Sequence, residues 1–276
     1  MKNRLTNAIF LQSLLETGGY HTPPERRPKH PGRASWWNAF RYAGTIIGIV
    51  GRSVARFLIN RFGYPEWQRY AFQSIAFAER VGSEVTIEGF EKIKAYGKPV
   101  VYVMNHMSTL ETMVAPALLI PFGTIAIVLK KSLDDLPFVG RASRSVGSIP
   151  VTRKNAREDL KTVLTEGCKR IADGRSVLLY PQGTRQAVFD PKRFNSLGAK
   201  LAERAGVALV PIAVRTDILQ TGTLIRDFGK VDPSKPLKVS CGPIVEPALG
   251  AREMHERSLA FITDTLKNWG LPIQHE

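Results

Sequence analysis

Short apolar runs alternate with longer helical stretches along the chain after Gly82. Apolar runs of this length predict buried strands, and their alternation with helices indicates βα units and a parallel sheet. The predicted strands are 84–87, 100–104, 124–128, 176–180, 209–214 and 237–241, and the predicted helices are 110–119, 156–173, 196–205 and 251–268. The pattern therefore predicts an α/β domain over residues 83–276, with a largely parallel central sheet flanked by helices.

Residues 36–82 have a different pattern, with aromatic residues at the start and an apolar run between Arg41 and Arg52. The run has ten residues, whereas a helix needs about 20 apolar residues to cross a bilayer. On a helix, Arg41, Arg52 and Arg56 lie within roughly 60° of one another, opposite an apolar face. The apolar face comprises Ile46, Ile47, Val50, Val54 and Phe57. The pattern predicts an in-plane amphipathic helix, a second helix over 65–81 and a membrane-associating segment over 36–82, although a helical hairpin that packs only on its own domain stays open.

Residues 1–35 are predicted to be a flexible basic N-terminus. Their apolar run over 8–15 faintly resembles a signal peptide, but Gln12, Ser13 and Glu16 interrupt it, and no cleavage site follows. Residues 21–32 contain four prolines among basic and imidazole side chains, which is typical of a solvated linker.

Charge and cysteine content narrow the classes of partner. The 276 residues contain 39 Lys and Arg against 24 Asp and Glu, a net charge of +15, and +8 of it lies in the first 80 residues. Such an excess favours nucleic acid, anionic lipid or an acidic carrier protein. Because the basic segment is rich in aromatic residues and no nucleic-acid-binding motif is present, an anionic membrane surface is favoured over nucleic acid. Two cysteines form neither a disulfide framework nor a zinc site by themselves, which indicates a reducing compartment.

The first candidate for chemistry is the segment from Asn105 to Glu111, directly after a predicted strand. A neutral imidazole is the usual general base near neutral pH, and a carboxylate on its other nitrogen fixes its tautomer. His106 and Glu111 are therefore the candidate catalytic pair. Two alternatives stay open: a structural role for His106, and a capping box from Ser108 to Glu111 in which the carboxylate only bonds backbone.

The second candidate is the segment from Tyr180 to Arg185, again at the end of a predicted strand. Gly183 permits close backbone approach, and Arg185 can hold a phosphate through a forked contact. Arg153 offers a second cation. Taken alone, the segment could be an ordinary turn and Arg153 a solvated surface residue.

In this order, four blocks resemble the glycerolipid acyltransferase family that includes 1-acylglycerol-3-phosphate acyltransferases. Residues 105–111 resemble its NHxxxxD block, 147–153 its second block ending in Arg, 180–185 its FPEGTR block and 210–214 its VPxxI block, within a similarity over about 86–243. The resemblance implies transfer of a fatty acyl group from acyl-CoA or acyl-carrier protein to the free hydroxyl of a lysophospholipid, above all 1-acylglycerol-3-phosphate, giving phosphatidate.

The resemblance also assigns roles to residues of this chain. His106 acts as the base and Glu111 orients it, while the acceptor is bound by Arg153, Gln182, Gly183, Thr184 and Arg185. Transfer is direct, without an acyl-enzyme, and the motifs imply no metal and no cofactor beyond the acyl thioester co-substrate. The expected location is the cytoplasmic face of a membrane, as a peripheral or monotopic protein.

Two residues depart from the family pattern. Glu111 replaces an Asp, which keeps the carboxylate on a longer side chain, and Gln182 replaces a Glu, which removes a charge from the acceptor block. The second change leaves open another lysolipid, or an acceptor without glycerol phosphate. A catalytically silent basic membrane protein is the remaining alternative.

Overall fold

A computed structural model describes residues 4–28, 32–136, 139–220, 222 and 229–274. Its eight strands form one sheet in the order β1-β2-β8-β7-β3-β6-β4-β5. The strands are β1 (Tyr20–His21), β2 (Val85–Glu88), β3 (Val101–Met104), β4 (Ile125–Lys130), β5 (Ile149–Val151), β6 (Ser176–Leu179), β7 (Leu209–Arg215) and β8 (Leu237–Cys241). Neighbouring strands are parallel except for the β1–β2 and β7–β8 pairs, which confirms the largely parallel sheet.

Helices cover both faces of this sheet. They are α1 (Asn7–Thr17), α2 (Trp36–Leu58), α3 (Tyr64–Val81), α4 (Glu91–Tyr96), α5 (Leu110–Leu119), α6 (Lys131–Asp134), α7 (Val139–Ser145), α8 (Ala156–Ala172), α9 (Leu197–Ala205) and α10 (Gly250–Asn268). Successive side chains of a strand point to opposite faces. In β3, Tyr102 and Met104 therefore pack in a core with α1, α3 and α5, whereas Val101 and Val103 pack in a second core with α8, α9 and α10.

The six predicted strands are present, and each end lies within two residues of its predicted position. The two strands that were not predicted, β1 and β5, are the edges of the sheet. Each has at most three residues, and β5 contains Pro150, which a strand interior excludes but an edge tolerates. Edge strands of this length carry too little apolar pattern to be recognised from sequence.

The N-terminal segment is ordered over most of its length, so its prediction as flexible was wrong for residues 4–28. Phe10 and Leu14, one helical turn apart, are fully buried in α1, while Gln12 and Glu16 lie on its exposed side. The polar residues that interrupt the apolar run are thus the outer face of a helix. Residues 1–3 and 29–31 of the predicted segment lie outside the described residues.

A buried carboxylate ties this segment to the rest of the fold. Glu79 of α3 accepts hydrogen bonds from the hydroxyl groups of Tyr20 and Thr22 and pairs with Arg26 at 3.2 Å. Thr22 also accepts a hydrogen bond from the Val85 amide of β2 at 2.9 Å. These contacts show why a basic, proline-rich segment is nevertheless ordered here.

The helices α2 and α3 form a hairpin that packs on α5 through α3. The helix α2 ends at Leu58 and buries Ala39, Tyr42 and Ile49. Its outer side leaves large apolar side chains in solvent. Among the described residues, no helix combines the length and the apolar run that crossing a bilayer requires.

Candidate active site

His106 lies directly after β3, where the buried side chain of Asn105 fixes the chain. The Asn105 amide accepts a hydrogen bond from the Val214 N–H at 2.7 Å and donates one to the Val214 carbonyl at 2.9 Å. Because Val214 belongs to the neighbouring strand β7, this pair joins two strands at their carboxyl ends. Open α/β sheets place their reactive groups at this edge.

The backbone of His106 is held from both sides by the loop that follows β6. Its N–H donates to Oε1 of Gln182 at 2.6 Å, and its carbonyl accepts from the Gln186 N–H at 2.9 Å. The Gln182 amide nitrogen donates in turn to Oε1 of Gln186 at 2.8 Å. Both ends of the buried Gln182 amide therefore bind within the protein. This differs from the predicted contact with an acceptor, because the side chain points at the histidine backbone.

Glu111 bonds the imidazole and caps the start of α5 at once. Its Oε1 lies 2.7 Å from Nδ1 of His106 and accepts from the Met107 and Ser108 amides at 2.7 and 2.8 Å. Its Oε2 accepts from the hydroxyl groups of Ser108 and Thr216 at 3.0 and 2.7 Å. The contact with the imidazole and the capping box were alternatives in the sequence, but in the structure one carboxylate makes both sets of contacts.

This arrangement fixes the proton on the imidazole. Oε1 of Glu111 accepts from the Met107 and Ser108 N–H groups, which can only donate, so Oε1 carries no proton and Nδ1 of His106 carries the hydrogen that faces it. The other nitrogen, Nε2, then holds a lone pair. The pair is thus equipped to remove a proton from a hydroxyl group placed at Nε2.

Tyr180 forms a wall of the site. Its ring stacks on the imidazole of His106, with centroids 4.6 Å apart and planes inclined by 29°. Burial of the hydroxyl, followed by the negative charge of Glu111, raises the pKa of Tyr180. The same two causes raise the pKa of Tyr42 on α2. Both phenols therefore stay neutral beside the carboxylate at any physiological pH.

Tyr180 also lines a cavity of about 370 Å³. Arg153 and Gly183 both line it, together with Lys200 of α9, whose role the sequence did not indicate. Arg153 has a positive φ of 59°, and its amide donates to Oδ2 of Asp159 in the first turn of α8 at 2.6 Å. The strained backbone is thus fixed by a carboxylate, and two predicted acceptor residues meet at one cavity.

Two further predicted acceptor residues, Arg185 and Thr184, do not line this cavity. Arg185 donates a hydrogen bond to the hydroxyl of Thr109, two residues before Glu111, and does not line the cavity. Thr184 is exposed. Gly183 has a φ of 70° and closes a turn through its N–H to the Tyr180 carbonyl, which explains the glycine at this position.

Sequence reasoning missed Lys200 at the cavity and, among the residues that support the pair, Thr216 and Gln186. Thr216 and Ser108 share the carboxylate of Glu111, and Gln186 holds both the backbone of His106 and the side chain of Gln182. A Ser-x-x-Glu spacing pointed to Ser108, but no local signal points to Thr216, which lies 105 residues from Glu111 in the chain.

A test of Gln182 follows from this geometry. We expect Gln182→Leu to lower kcat for acyl transfer by about tenfold, with KM for the lysolipid unchanged, because the His106 amide loses its acceptor. Gln182→Glu is the matched control. It keeps an oxygen at the His106 amide, and the Gln186 amide can turn to donate to the new carboxylate, so we expect activity within about threefold of the parent. Steady-state kinetics measures both constants. A raised KM with an unchanged kcat in Gln182→Leu would instead indicate that Gln182 binds the acceptor.

Comparison with known proteins agrees with the four sequence blocks. A family model described as Acyltransferase matches residues 84–215. A 1-acyl-sn-glycerol-3-phosphate acyltransferase of Pseudomonas aeruginosa is 28% identical over 210 residues, which cover 75% of this chain and 77% of that protein. One of Chlamydomonas reinhardtii is 34% identical over 158 residues, which cover 57% of this chain and 45% of that protein.

A solved structure resembles the whole fold. The crystal structure of the 1-acyl-sn-glycerophosphate acyltransferase PlsC of Thermotoga maritima has a TM-score of 0.60, covering 85% of this chain and 94% of that one at 16% identity. The sheet, the histidine–carboxylate pair and the family match define an O-acyltransferase. Over residues 84–215 the chain matches the Acyltransferase family model, and it resembles the 1-acylglycerol-3-phosphate acyltransferases in sequence and in fold.

Proposed function

We propose that this protein transfers a fatty acyl group from a thioester to the free hydroxyl of 1-acylglycerol-3-phosphate, giving phosphatidate. The observation that carries the proposal is the 2.7 Å contact between Nδ1 of His106 and Glu111, which leaves Nε2 as a base at the carboxyl edge of the sheet. The names of the relatives supply the acceptor.

In the proposed reaction, Nε2 of His106 removes the hydroxyl proton as that oxygen attacks the thioester carbonyl. The tetrahedral intermediate collapses, the carbon–sulfur bond breaks, and the imidazolium returns its proton to the leaving thiolate. Glu111 stabilises the imidazolium while it exists. Neither cysteine is suited to form an acyl-enzyme in this scheme: Cys241 lies buried in β8, where burial raises its pKa, and Cys168 lies on α8.

The acceptor phosphate is proposed to bind where Arg153 and Gly183 line the cavity that Tyr180 also lines, with Lys200 as a further cation. Arg185 lies closer to the pair through Thr109 and is proposed to bind the same acceptor near its reacting end. The contact of Gln182 with the His106 backbone makes it a positioning residue. The sequence argument for an unusual acceptor therefore loses its main support.

The proposal is tested by mass spectrometry of the products. Purified protein in vesicles is incubated with lysophosphatidate and either acyl-CoA or acyl-carrier protein, with His106→Gln as the background. We expect phosphatidate with at least one donor and none in the variant, and the productive donor identifies the thioester. Folded protein that made no phosphatidate with either donor would contradict the proposed acceptor.

We further propose that α2 attaches the enzyme to a membrane surface as a peripheral or monotopic protein on the cytoplasmic face. Trp37, Phe40 and Ile47 are exposed by 71, 60 and 71% respectively and lie along one side of the helix. Large apolar side chains in such a stripe mark an interaction surface. Both the acceptor and the product of the proposed reaction reside in a bilayer.

Deletion of the first 80 residues would not test this attachment, since Phe10, Tyr20 and Ile75 are part of the core. We expect the triple substitution Trp37→Ser, Phe40→Ser and Ile47→Ser to weaken partition into vesicles by about a hundredfold, because each side chain would bury apolar area in the lipid. Sedimentation with vesicles measures the effect. Val188→Ser with Leu249→Ser removes exposed apolar side chains elsewhere and should leave partition unchanged; an equal loss in both variants would argue against α2.

A further inference from the structure

A groove of about 490 Å³ between α2 and α3 is lined by three arginines. Arg41 and Arg52 lie on one face of α2, eleven residues or three turns apart, and Arg80 faces them from α3. Gly44 and Gly48 form the α2 side of the groove between the two arginines. A Cβ added at Gly44 would meet no atom within 4 Å, so this glycine leaves open space in the groove, whereas a Cβ at Gly48 would lie 3.2 Å from the Arg52 guanidinium.

The positive charges in this groove are not neutralised within the protein. Among the described residues, no carboxylate lies within 4.0 Å of the guanidinium groups of Arg41, Arg52 or Arg80. Their contacts are neutral: Arg41 binds Asn38 at 3.3 Å, Arg52 binds the Gln73 side chain, and Arg80 lies over the Phe77 ring.

The arginines also repel one another. Partial desolvation, followed by the positive charges of Arg41 and Arg4, lowers the pKa of the exposed Arg80 guanidinium. An anion placed among these guanidinium groups would relieve this repulsion, and a guanidinium prefers phosphate and carboxylate oxygens. The geometry of the groove therefore suits an anionic group, and none of the described residues supplies one.

The apolar side of α2 indicates where this anion comes from. Phe40 and Trp37 precede Gly44 by four and seven residues, and Ile47 follows it by three, so all four lie along one stripe of the helix. The exposed apolar face thus borders the groove at Gly44. A helix lying in a bilayer surface places such a border at the level of the lipid phosphates.

We propose that the groove lined by Arg41, Arg52 and Arg80 binds the phosphate of a membrane phospholipid headgroup. This inference rests on the proposed membrane attachment of α2, and it adds a defined headgroup site that is separate from the acceptor residues around Arg153. Its effect is to make the enzyme prefer anionic bilayers, and to fix the rotation of α2 at the surface above the active site.

The first experiment compares sedimentation with vesicles of phosphatidylcholine alone and with added phosphatidylglycerol, at constant ionic strength. We expect Arg41→Gln, Arg52→Gln and Arg80→Gln together to reduce the preference for anionic vesicles, by about fivefold for each arginine. The matched control is Arg204→Gln, Arg252→Gln and Arg257→Gln, which removes three exposed positive charges from α9 and α10, across the sheet. Circular dichroism checks that both variants fold.

A second variant separates a site from a diffuse charge effect. Gly44→Leu keeps every charge but places a side chain in the open space of the groove. We expect it to lower the ratio of anionic to zwitterionic binding by at least about fivefold. An unchanged ratio in Gly44→Leu, or an equal loss in the opposite-face control, would overturn the proposal. Absence of binding to both kinds of vesicle would contradict the membrane attachment together with the site.

Two further arms separate the possible sources of the anion. Thermal unfolding is measured with glycerol 3-phosphate for the parent protein and for the triple Gln variant, and we expect the ligand to stabilise neither through the three arginines. A stabilisation of the parent that the variant lacks would assign the groove to a soluble phosphate ester. Loss of acyl-carrier protein binding in the triple Gln variant, with vesicle preference unchanged, would assign it to an acidic protein. Either result would overturn the lipid headgroup as occupant.

Discussion

Replacement of His106 by glutamine is expected to lower kcat for acyl transfer by about a thousandfold or more, because the reaction loses its general base. Glutamine occupies a similar volume and can still donate to Glu111, so the buried carboxylate keeps a partner. The free energy of unfolding should therefore change by less than about 1 kcal/mol. Single-turnover rates with lysophosphatidate measure the first effect, and urea denaturation measures the second.

The matched control for this substitution is His255→Gln on α10. Its imidazole is half-buried and stacks on Phe194 at 6.1 Å. Because this imidazole lies on α10 and is not part of the His106–Glu111 pair, its loss should leave kcat within about twofold. Acyl transfer by His106→Gln at a rate near that of the parent would remove the histidine from the chemistry and favour a structural role for it.

The sequence allowed the reacting groups to be recognised because their signals are local. Asn105 and then His106 follow an uninterrupted apolar run, and Glu111 lies five residues after His106, so the pair comes from one strand end and the start of one helix. The supporting contacts are not local. Val214 reaches Asn105 and Thr216 reaches Glu111 because β7 lies next to β3, and this strand order is decided by packing over the whole sheet.

The prediction that the N-terminal segment is flexible was wrong for residues 4–28 for a related reason. The helix α1 is ordered because Phe10 and Leu14 are buried in a hydrophobic core. Residues of α3, which is distant in the chain, complete that core. A short amphipathic stretch read alone does not reveal that core, whereas its polar positions and the following prolines are visible and suggest a flexible chain. Tertiary burial overrode the local composition.

Substitutions of Glu111 separate the proposed catalytic role of the carboxylate from its structural role. Oε1 contacts the imidazole of His106, and Oε2 accepts from the Ser108 and Thr216 hydroxyls. In Glu111→Gln the new amide nitrogen faces either the His106, Met107 and Ser108 N–H groups, which cannot accept, or the Ser108 and Thr216 hydroxyls, which accept only by turning their hydrogens away from the side chain. We expect kcat to fall by about a thousandfold, since the imidazolium loses its counter-charge, and stability to fall by about 2 kcal/mol, since a buried donor loses its partner.

Glu111→Asp, the residue usual in the family, separates the two effects further. It keeps the charge, but the carboxylate retreats by about 1.5 Å, the length of one methylene step, and cannot reach both Nδ1 of His106 and the Thr216 hydroxyl. We expect about a tenfold loss of kcat, between the parent and Glu111→Gln. Thr216→Val removes one donor to the carboxylate and leaves the imidazole contact, so it should lower stability more than kcat. If Glu111→Gln lost stability and kept full activity, the carboxylate would be a helix cap alone, and the base at His106 would need no counter-charge.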